Sequence, residues 1–201
     1  WDDPAIVQGV RDTGGRVSLA VYDCKKPVIA AINGAAVGIG ATLTLPMDIR
    51  LASDKARIGF VFGKIGVVPE ACSTWFLPRI VGLQQAMDWV YSADILTAEQ
   101  ALAGRLVKAV VPAEQLLAEA HALAHKYIDH RSPVSIALMR QMLLRNHAMP
   151  HPRDAHAVES LAMLHTSRHD GKEGVASFNE KRTPAYTGRA SDGLGDFYPW
   201  W

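Results

Sequence analysis

The sequence predicts an α/β first half followed by a helical second half, and three observations carry that prediction. Two short β-branched segments, residues 28–32 and 48–52, bracket the glycine-rich run Asn33-Gly34-Ala35-Ala36-Val37-Gly38-Ile39-Gly40 and the apolar stretch 41–47. Strand, glycine turn, helix and strand in that order describe a crossover with a parallel sheet. From Pro112 onward helix signals dominate, among them Ser132 directly before Pro133, the pairing of an N-cap with a first-turn proline. The chain has 201 residues, of which 49% are hydrophobic and 20% charged, enough to bury a sizeable core.

Taken in order, residues 17–22 read as a first buried strand, separated from the strand at 28–32 by the turn-like Asp23-Cys24-Lys25-Lys26-Pro27. Residues 41–47 are apolar and helical in pattern, with Pro46 at or near the end of that helix. Segment 48–52 is the next strand, and 55–68 is irregular and punctuated by glycine. A helix follows Glu70, and 83–91 forms another, with Ala86, Met87 and Val90 at helical spacing. Thr97 with Gln100 three positions later predicts a capping box, opening a helix that Gly104 closes before a strand over 106–111. Helices are then expected over 113–129, from Pro133 to about 149, over 151–169 and over 172–181.

The organisation read from this pattern is a core over 1–111, a helical region over 112–184 and a tail over 185–201. The tail carries Phe197, Tyr198, Trp200 and Trp201 among glycines. Four aromatics are costly to leave in water, so the tail is expected to dock on the body or on a neighbouring subunit.

Composition narrows the function classes. A net charge of +1 with scattered Lys and Arg gives no electrostatic footprint for nucleic acid. The two cysteines, Cys24 and Cys72, match neither a metal-ligand spacing nor a disulfide framework, which points to a reducing, cytoplasmic setting. No apolar run approaches the roughly 18 residues that span a bilayer, so no membrane partner is expected. The start has no basic segment followed by an apolar one. Among the eight histidines, His121 and His125 share a helical four-residue spacing, but no third ligand is evident and no metal is expected.

The chemistry concentrates between residues 33 and 80. The glycine run matches neither the dinucleotide fingerprint nor a triphosphate loop. It either permits close helix–strand packing or aims backbone N–H groups at a developing anion. Glu70 is either a first-turn acid that offsets a helix dipole or a proton carrier. Cys72 stands close by, without a histidine near it in sequence to activate it.

Lys26-Pro27-Val28-Ile29-Ala30-Ala31-Ile32-Asn33-Gly34, the glycine run, Asp48, Gly66-Val67-Val68-Pro69, Leu77-Pro78-Arg79-Ile80-Val81-Gly82 and Leu96-Thr97-Ala98-Glu99-Gln100-Ala101 through Leu106-Val107 resemble the crotonase superfamily of acyl-CoA enzymes. The resemblance runs over almost all of 17–182. It implies a ββα spiral with trailing helices that build a homotrimer or a dimer of trimers. It also implies an acyl-CoA thioester substrate and no cofactor other than the coenzyme A which that substrate carries.

Aligned on Asn33 and Asp48, the resemblance puts one oxyanion donor on the backbone N–H of Ile39. It places Ala36, Gly38, Thr42, Phe62 and Val67 around the substrate. Hydratases of the superfamily use two glutamates, which fall here on Thr42 and Phe62, neither of them a base near neutral pH. Pro69-Glu70-Ala71-Cys72-Ser73 is instead similar to the Δ3,Δ2-enoyl-CoA isomerases, in which a glutamate at the Glu70 position is the catalytic base. Val61, Phe62, Val67 and Val68 are expected to keep water from the enolate.

The resemblance further implies, upstream of Trp1, early strands and a short alanine/glycine segment that supply the second oxyanion N–H and part of the adenine site. Nothing in residues 1–16 matches them, so a polypeptide truly starting at Trp1 is expected to be inactive. The alternatives to an isomerase are a hydratase or other crotonase-type thioester reaction, and an inactive member kept for acyl-CoA binding or assembly.

Overall fold

A computed structural model describes the backbone of residues 3–201, and the side chains of all of these except residues 5 and 6. The first two residues of the expected 1–111 core lie outside that description. In chain order the elements are α1 (Pro4–Gly9), α2 (Thr13–Asp23), β1 (Ile29–Ile32), β2 (Ala35–Val37), α3 (Ile39–Thr42), β3 (Ile49–Ser53), β4 (Arg57–Gly59), a 3₁₀ turn (Val61–Ile65), α4 (Ser73–Val81), α5 (Leu83–Ser92), β5 (Ile95–Thr97), α6 (Ala98–Ala103) and β6 (Ala109–Val111). A second 3₁₀ turn (Ala113–Gln115) leads into α7 (Leu116–Ile128), α8 (Pro133–Asn146), α9 (Pro152–Arg168) and α10 (Asp170–Asn179). No helix among the described residues is long and apolar enough to cross a membrane.

The chain forms two compact units. The first comprises the residues through Tyr22 together with Val28–His121, and the second Asp23–Pro27 with Ala122–Trp201. In the first unit, β1, β3 and β6 make a parallel sheet in that order, with Ile29 opposite Ile49 and Leu51 opposite Ala109. A second sheet runs β2-β4-β5, parallel between β2 and β4 and antiparallel between β4 and β5. The expected crossover is thus present between β1 and β3, and the passage between them also builds β2 of the second sheet.

Between and beside the sheets lies a core that includes Leu45, Ala52, Ile58, Phe60, Leu77, Trp89 and Leu106. Phe60 and Trp89 stack with ring centroids 6.4 Å apart. Each large side chain buried here contributes about 1.5–3 kcal/mol. Arg50 is buried in the same unit, its Nε donating to the Leu106 carbonyl at 2.8 Å and its Nη1 to that of Met47 at 2.6 Å. The Asp48 carboxylate accepts the Val28 N–H at 2.6 Å, fixing the entry to β1.

Residues 17–22, expected to be a strand, belong instead to helix α2. The deciding feature is upstream: Asp12 Oδ1 accepts the Gly15 N–H at 2.5 Å, an N-cap contact that opens a helix. Gly14, Gly15 and Ser18 are the buried residues, a helical spacing, while Val17 and Leu19 face outward. The six apolar-rich residues therefore lie on several faces of a helix. Other boundaries differ too, among them the strand expected over 106–111, which runs only over Ala109–Val111. Segment 41–47 is helical only through Thr42 and continues as turns, and segment 55–68 contains β4 and the first 3₁₀ turn. The capping box forms as expected, with Gln100 N–H on Thr97 Oγ1 at 3.2 Å and Thr97 N–H on Gln100 Oε1 at 2.8 Å.

In the second unit Val134, Ala137 and Leu138 of α8 pack with Ala162 of α9 and with Leu194. Ser132 caps α8 through the Ser135 N–H, and its own hydroxyl donates to the buried Asp170 Oδ2 at 2.5 Å. The tail docks on this unit: Phe197, Tyr198 and Trp200 pack against its core, and the Arg145 guanidinium lies 3.2 Å from the Trp201 ring centre. Several histidines serve structure. His151 Nδ1 accepts the Arg153 N–H at the start of α9, His125 pairs with Asp129 at 3.1 Å, and His165 bonds the Gly193 carbonyl at 2.8 Å.

Candidate active site

The glycine run ends β2 and opens α3. Gly38 has φ +58°, a conformation that favours glycine. Its N–H reaches the Gly59 carbonyl of β4 at 2.9 Å, while its carbonyl accepts the N–H groups of Ala41 and Thr42. Ile39 is then the first helical residue, so its own N–H lies outside the intrahelical ladder. It has no acceptor among the described residues, and the residue is half exposed.

Three residues on, Thr42 is fully buried and donates its hydroxyl to Glu70 Oε1 at 2.6 Å, with the Ile39 carbonyl 3.3 Å away as a second acceptor. Glu70 itself is half-buried. Its Oε2 accepts no hydrogen bond among the described residues and sits against α2. A Cβ placed on Gly14 would meet Oε2 at 2.1 Å, Ile39 Cδ1 at 2.9 Å and Ala71 Cβ at 3.1 Å. The structure thus brings Ile39, Thr42, Glu70 and Gly14 together.

The backbone beyond Glu70 turns sharply. Ala71 and Cys72 have φ of 59° and 58°, the Ser73 N–H closes the turn on the Glu70 carbonyl at 3.0 Å, and α4 begins. The Ala71 N–H donates to Asp12 Oδ1 at 3.1 Å. Burial, and then the negative charges of Asp12 and Glu70, push the Cys72 thiol above its ordinary range. Cys72 therefore stays a thiol near neutral pH and is a poor nucleophile there.

The remaining residues of the expected substrate pocket differ in burial. Ala36 and Phe62 are buried in the core of the first unit, whereas Val67 is 52% exposed and Val68 79%. The expected apolar shield over Glu70 is therefore not assembled by Val67 and Val68 in this conformation. An apolar cavity of about 140 Å³ is lined by Phe60, Pro69, Ser73, Leu77, Met87 and Tyr91 among others. Asp12 and Gly14 were missed because the strand reading of 17–22 hid the start of α2; the signal for them was an acid three positions before a buried glycine.

Chemically, the arrangement offers one carboxylate with one oxygen tethered and the other, among the described residues, free of hydrogen bonds. The side chain of Ile39, whose amide N–H has no acceptor among the described residues, lies beside it. Such a set can take a proton from a carbon next to a carbonyl while an amide holds the charge that develops on the oxygen. Among the described residues, no group of three or more His, Cys, Asp or Glu side chains is placed to hold a metal ion.

Comparison with known proteins adds an independent line. The family described as enoyl-CoA hydratase/isomerase matches residues 6–189. The chain is 41% identical over 179 residues to enoyl-CoA hydratase ACTT3 of Alternaria alternata, covering 88% of this chain and 60% of that protein. It is 35% identical over 166 residues to 1,2-epoxyphenylacetyl-CoA isomerase of Escherichia coli strain K12, covering 82% and 62% respectively. A crystal structure of enoyl-CoA hydratase/isomerase from Cupriavidus metallidurans CH34 superposes with a TM-score of 0.81 at 29% identity, over 92% of this chain and 70% of that one. The chain spans about three fifths of the length of the curated relatives it matches.

Proposed function

Since the chain belongs to the enoyl-CoA hydratase/isomerase family, of crotonase fold, we propose that it moves the double bond of a 3-enoyl-CoA thioester into conjugation, with Glu70 as the only base. The observation that carries this reading is the Thr42–Glu70 pair beside Ile39. Glu70 Oε2 removes a C2 proton, and the electron pair left on carbon delocalises onto the thioester oxygen. The Ile39 N–H stabilises that oxygen; a single donor of this kind is worth about 3–4 kcal/mol in other enzymes. As the enolate collapses, the now protonated Glu70 returns the proton at C4 and the double bond settles between C2 and C3. One carboxylate is enough because it acts first as base and then as acid.

Thr42 serves this scheme by holding Oε1, so that the oxygen left for proton transfer is Oε2. Gly38, through its φ, sets where the Ile39 amide points. Ala36 and Phe62 act from the core as supports, and Val67 contacts the acyl group when substrate is bound. The enzyme is read as cytoplasmic and as a homotrimer or dimer of trimers, in line with its two free cysteines and the trailing helices.

A second reading, water addition to a 2-enoyl-CoA, draws support from the name of the Alternaria relative. Against it, hydration needs one group to activate water and another to protonate carbon, and Thr42 and Phe62 stand where the resemblance puts the hydratase glutamates. Separate incubations with a 3-enoyl-CoA and a 2-enoyl-CoA discriminate. Conjugation of the first with little hydration of the second supports the isomerase. Hydration at a comparable rate favours the second reading. Binding of coenzyme A without turnover of either leaves an inactive member.

A further inference from the structure

We propose that Asp12 is a positioning residue for Glu70: from the start of α2 its carboxylate clamps the backbone turn out of which the Glu70 side chain projects. The proposal rests on Glu70 being the base and adds the device that fixes it in place.

Ala71 and Cys72 directly follow Glu70 and both have left-handed φ, with no glycine to relieve the turn. Successive L residues adopt that conformation only where their surroundings hold them there. On the far side of the turn the Cys72 carbonyl accepts the N–H groups of Trp75 and Phe76, and Cys72 packs against the core. Ser73 N–H bonds the Glu70 carbonyl from within the turn, and the Ala71 side chain is fully buried. Among the described residues, the one side chain from outside the turn that bonds its backbone is Asp12, through the Ala71 N–H at 3.1 Å.

The same Oδ1 also accepts the Gly15 N–H at 2.5 Å, so the first turn of α2 dictates where Asp12 stands. With Thr42 on Oε1, Glu70 is fixed at both ends, its backbone by α2 and its carboxylate by α3. An Oδ1 engaged by two amide donors is not poised to take a substrate proton. The role proposed for Asp12 is carried by that Oδ1, which holds the backbone beside Glu70.

The test separates the clamp from the helix cap. Asp12→Ser retains a good N-cap residue, so α2 and thermal stability are kept, but the shorter side chain cannot also reach Ala71. Asp12→Asn retains the acceptor oxygen and is the conservative rescue. On a 3-enoyl-CoA, Asp12→Ser is expected to lower kcat about 10- to 100-fold with KM within about twofold, as for a misplaced catalytic group, and Asp12→Asn to restore kcat to within about threefold of wild type. Wild-type kcat in Asp12→Ser, or equal losses in both variants, overturns the proposal.

A second readout does not depend on the reaction. In a Cys24→Ser background, Cys72 sits in the clamped turn, and its alkylation by iodoacetamide reports whether the turn has loosened. Both Asp12 variants remove the charge, so their difference isolates the clamp: about tenfold faster alkylation in Asp12→Ser than in Asp12→Asn supports it, and equal rates refute it. If neither substrate is turned over while the alkylation rates differ, the reading of Glu70 as base fails and the clamp stands.

Discussion

Gly14→Ala is a one-methyl probe of where the Glu70 carboxylate stands. The added Cβ would lie 2.1 Å from Glu70 Oε2, against the 3.4 Å at which ordinary contact begins, so the carboxylate must retreat by roughly 1.3 Å. Ile39 Cδ1 at 2.9 Å is the end of a flexible side chain and turns aside, and Ala71 Cβ at 3.1 Å has to give by a few tenths of an ångström. The backbone at position 14 is helical, so alanine itself fits and contributes about 1 kcal/mol of helix propensity.

Against that gain stands the strained Thr42–Glu70 bond, a charge-assisted contact worth about 1.5–3 kcal/mol, partly recovered because the Thr42 hydroxyl can turn to the Ile39 carbonyl. Net stability should fall by no more than about 1–2 kcal/mol. Activity should suffer more, since a displacement of about 1 Å can cost 100-fold in rate, or about 2.7 kcal/mol in barrier. Thermal denaturation beside steady-state kinetics on a 3-enoyl-CoA measures both. A Gly14→Ala variant with wild-type kcat would show that the observed carboxylate position is not the working one.

Three further predictions follow from local contacts. Thr97→Ala removes the hydroxyl that accepts the Gln100 N–H, leaving the bond from the backbone N–H of residue 97 to Gln100 Oε1, and should cost about 1 kcal/mol in urea denaturation, without changing KM. Asp170→Ala strands the buried Ser132 hydroxyl and removes the acceptor of the Gly188 N–H, and should cost about 2–3 kcal/mol by the same measurement. The raised Cys72 thiol predicts an alkaline loss of stability. The folded state keeps the proton that the unfolded chain releases near the ordinary value of 9.0, so stability is full below that pH and declines as pH rises through the thiol's higher folded value. Denaturation midpoints measured from neutral pH to above that value should fall less steeply for Cys72→Ala than for wild type.

The parts of this fold that were legible in the sequence are those set by local chemistry. Thr97 with Gln100 and Ser132 with Pro133 announce helix starts because the capping atoms lie within four residues of one another, and both starts are present. The parallel pairing of β1 with β3 was legible because the glycine run leaves few other ways to connect two β-branched segments. Residues 17–22 were misread because Gly14 and Gly15 lower helix propensity and mask the start at Asp12, while the burial that makes α2 a helix comes from tertiary packing.

The site divides in the same way. Gly38, Ile39 and Glu70 stood out as residue types, yet composition and spacing left each with two readings. Only the resemblance joined them, and Thr42 was singled out by its alignment with a hydratase glutamate, not by any sign of the 2.6 Å bond it makes to Glu70. Asp12 and Gly14 act across 59 and 56 residues of sequence, respectively, a separation at which no local pattern signals contact. The outward placement of Val67 and Val68 was equally hidden, since an apolar residue beside a glycine turn reads as buried until the turn's direction is known.

The central claim is that one carboxylate moves the proton, and the rate of 3-enoyl-CoA conjugation by Glu70→Gln tests it most directly. Glutamine keeps the size of the side chain and can still accept the Thr42 hydroxyl, but it cannot carry a proton. The account predicts a fall in kcat of about 100- to 10,000-fold with substrate binding retained. A Glu70→Gln enzyme that conjugates the substrate within about tenfold of the wild-type rate would contradict it.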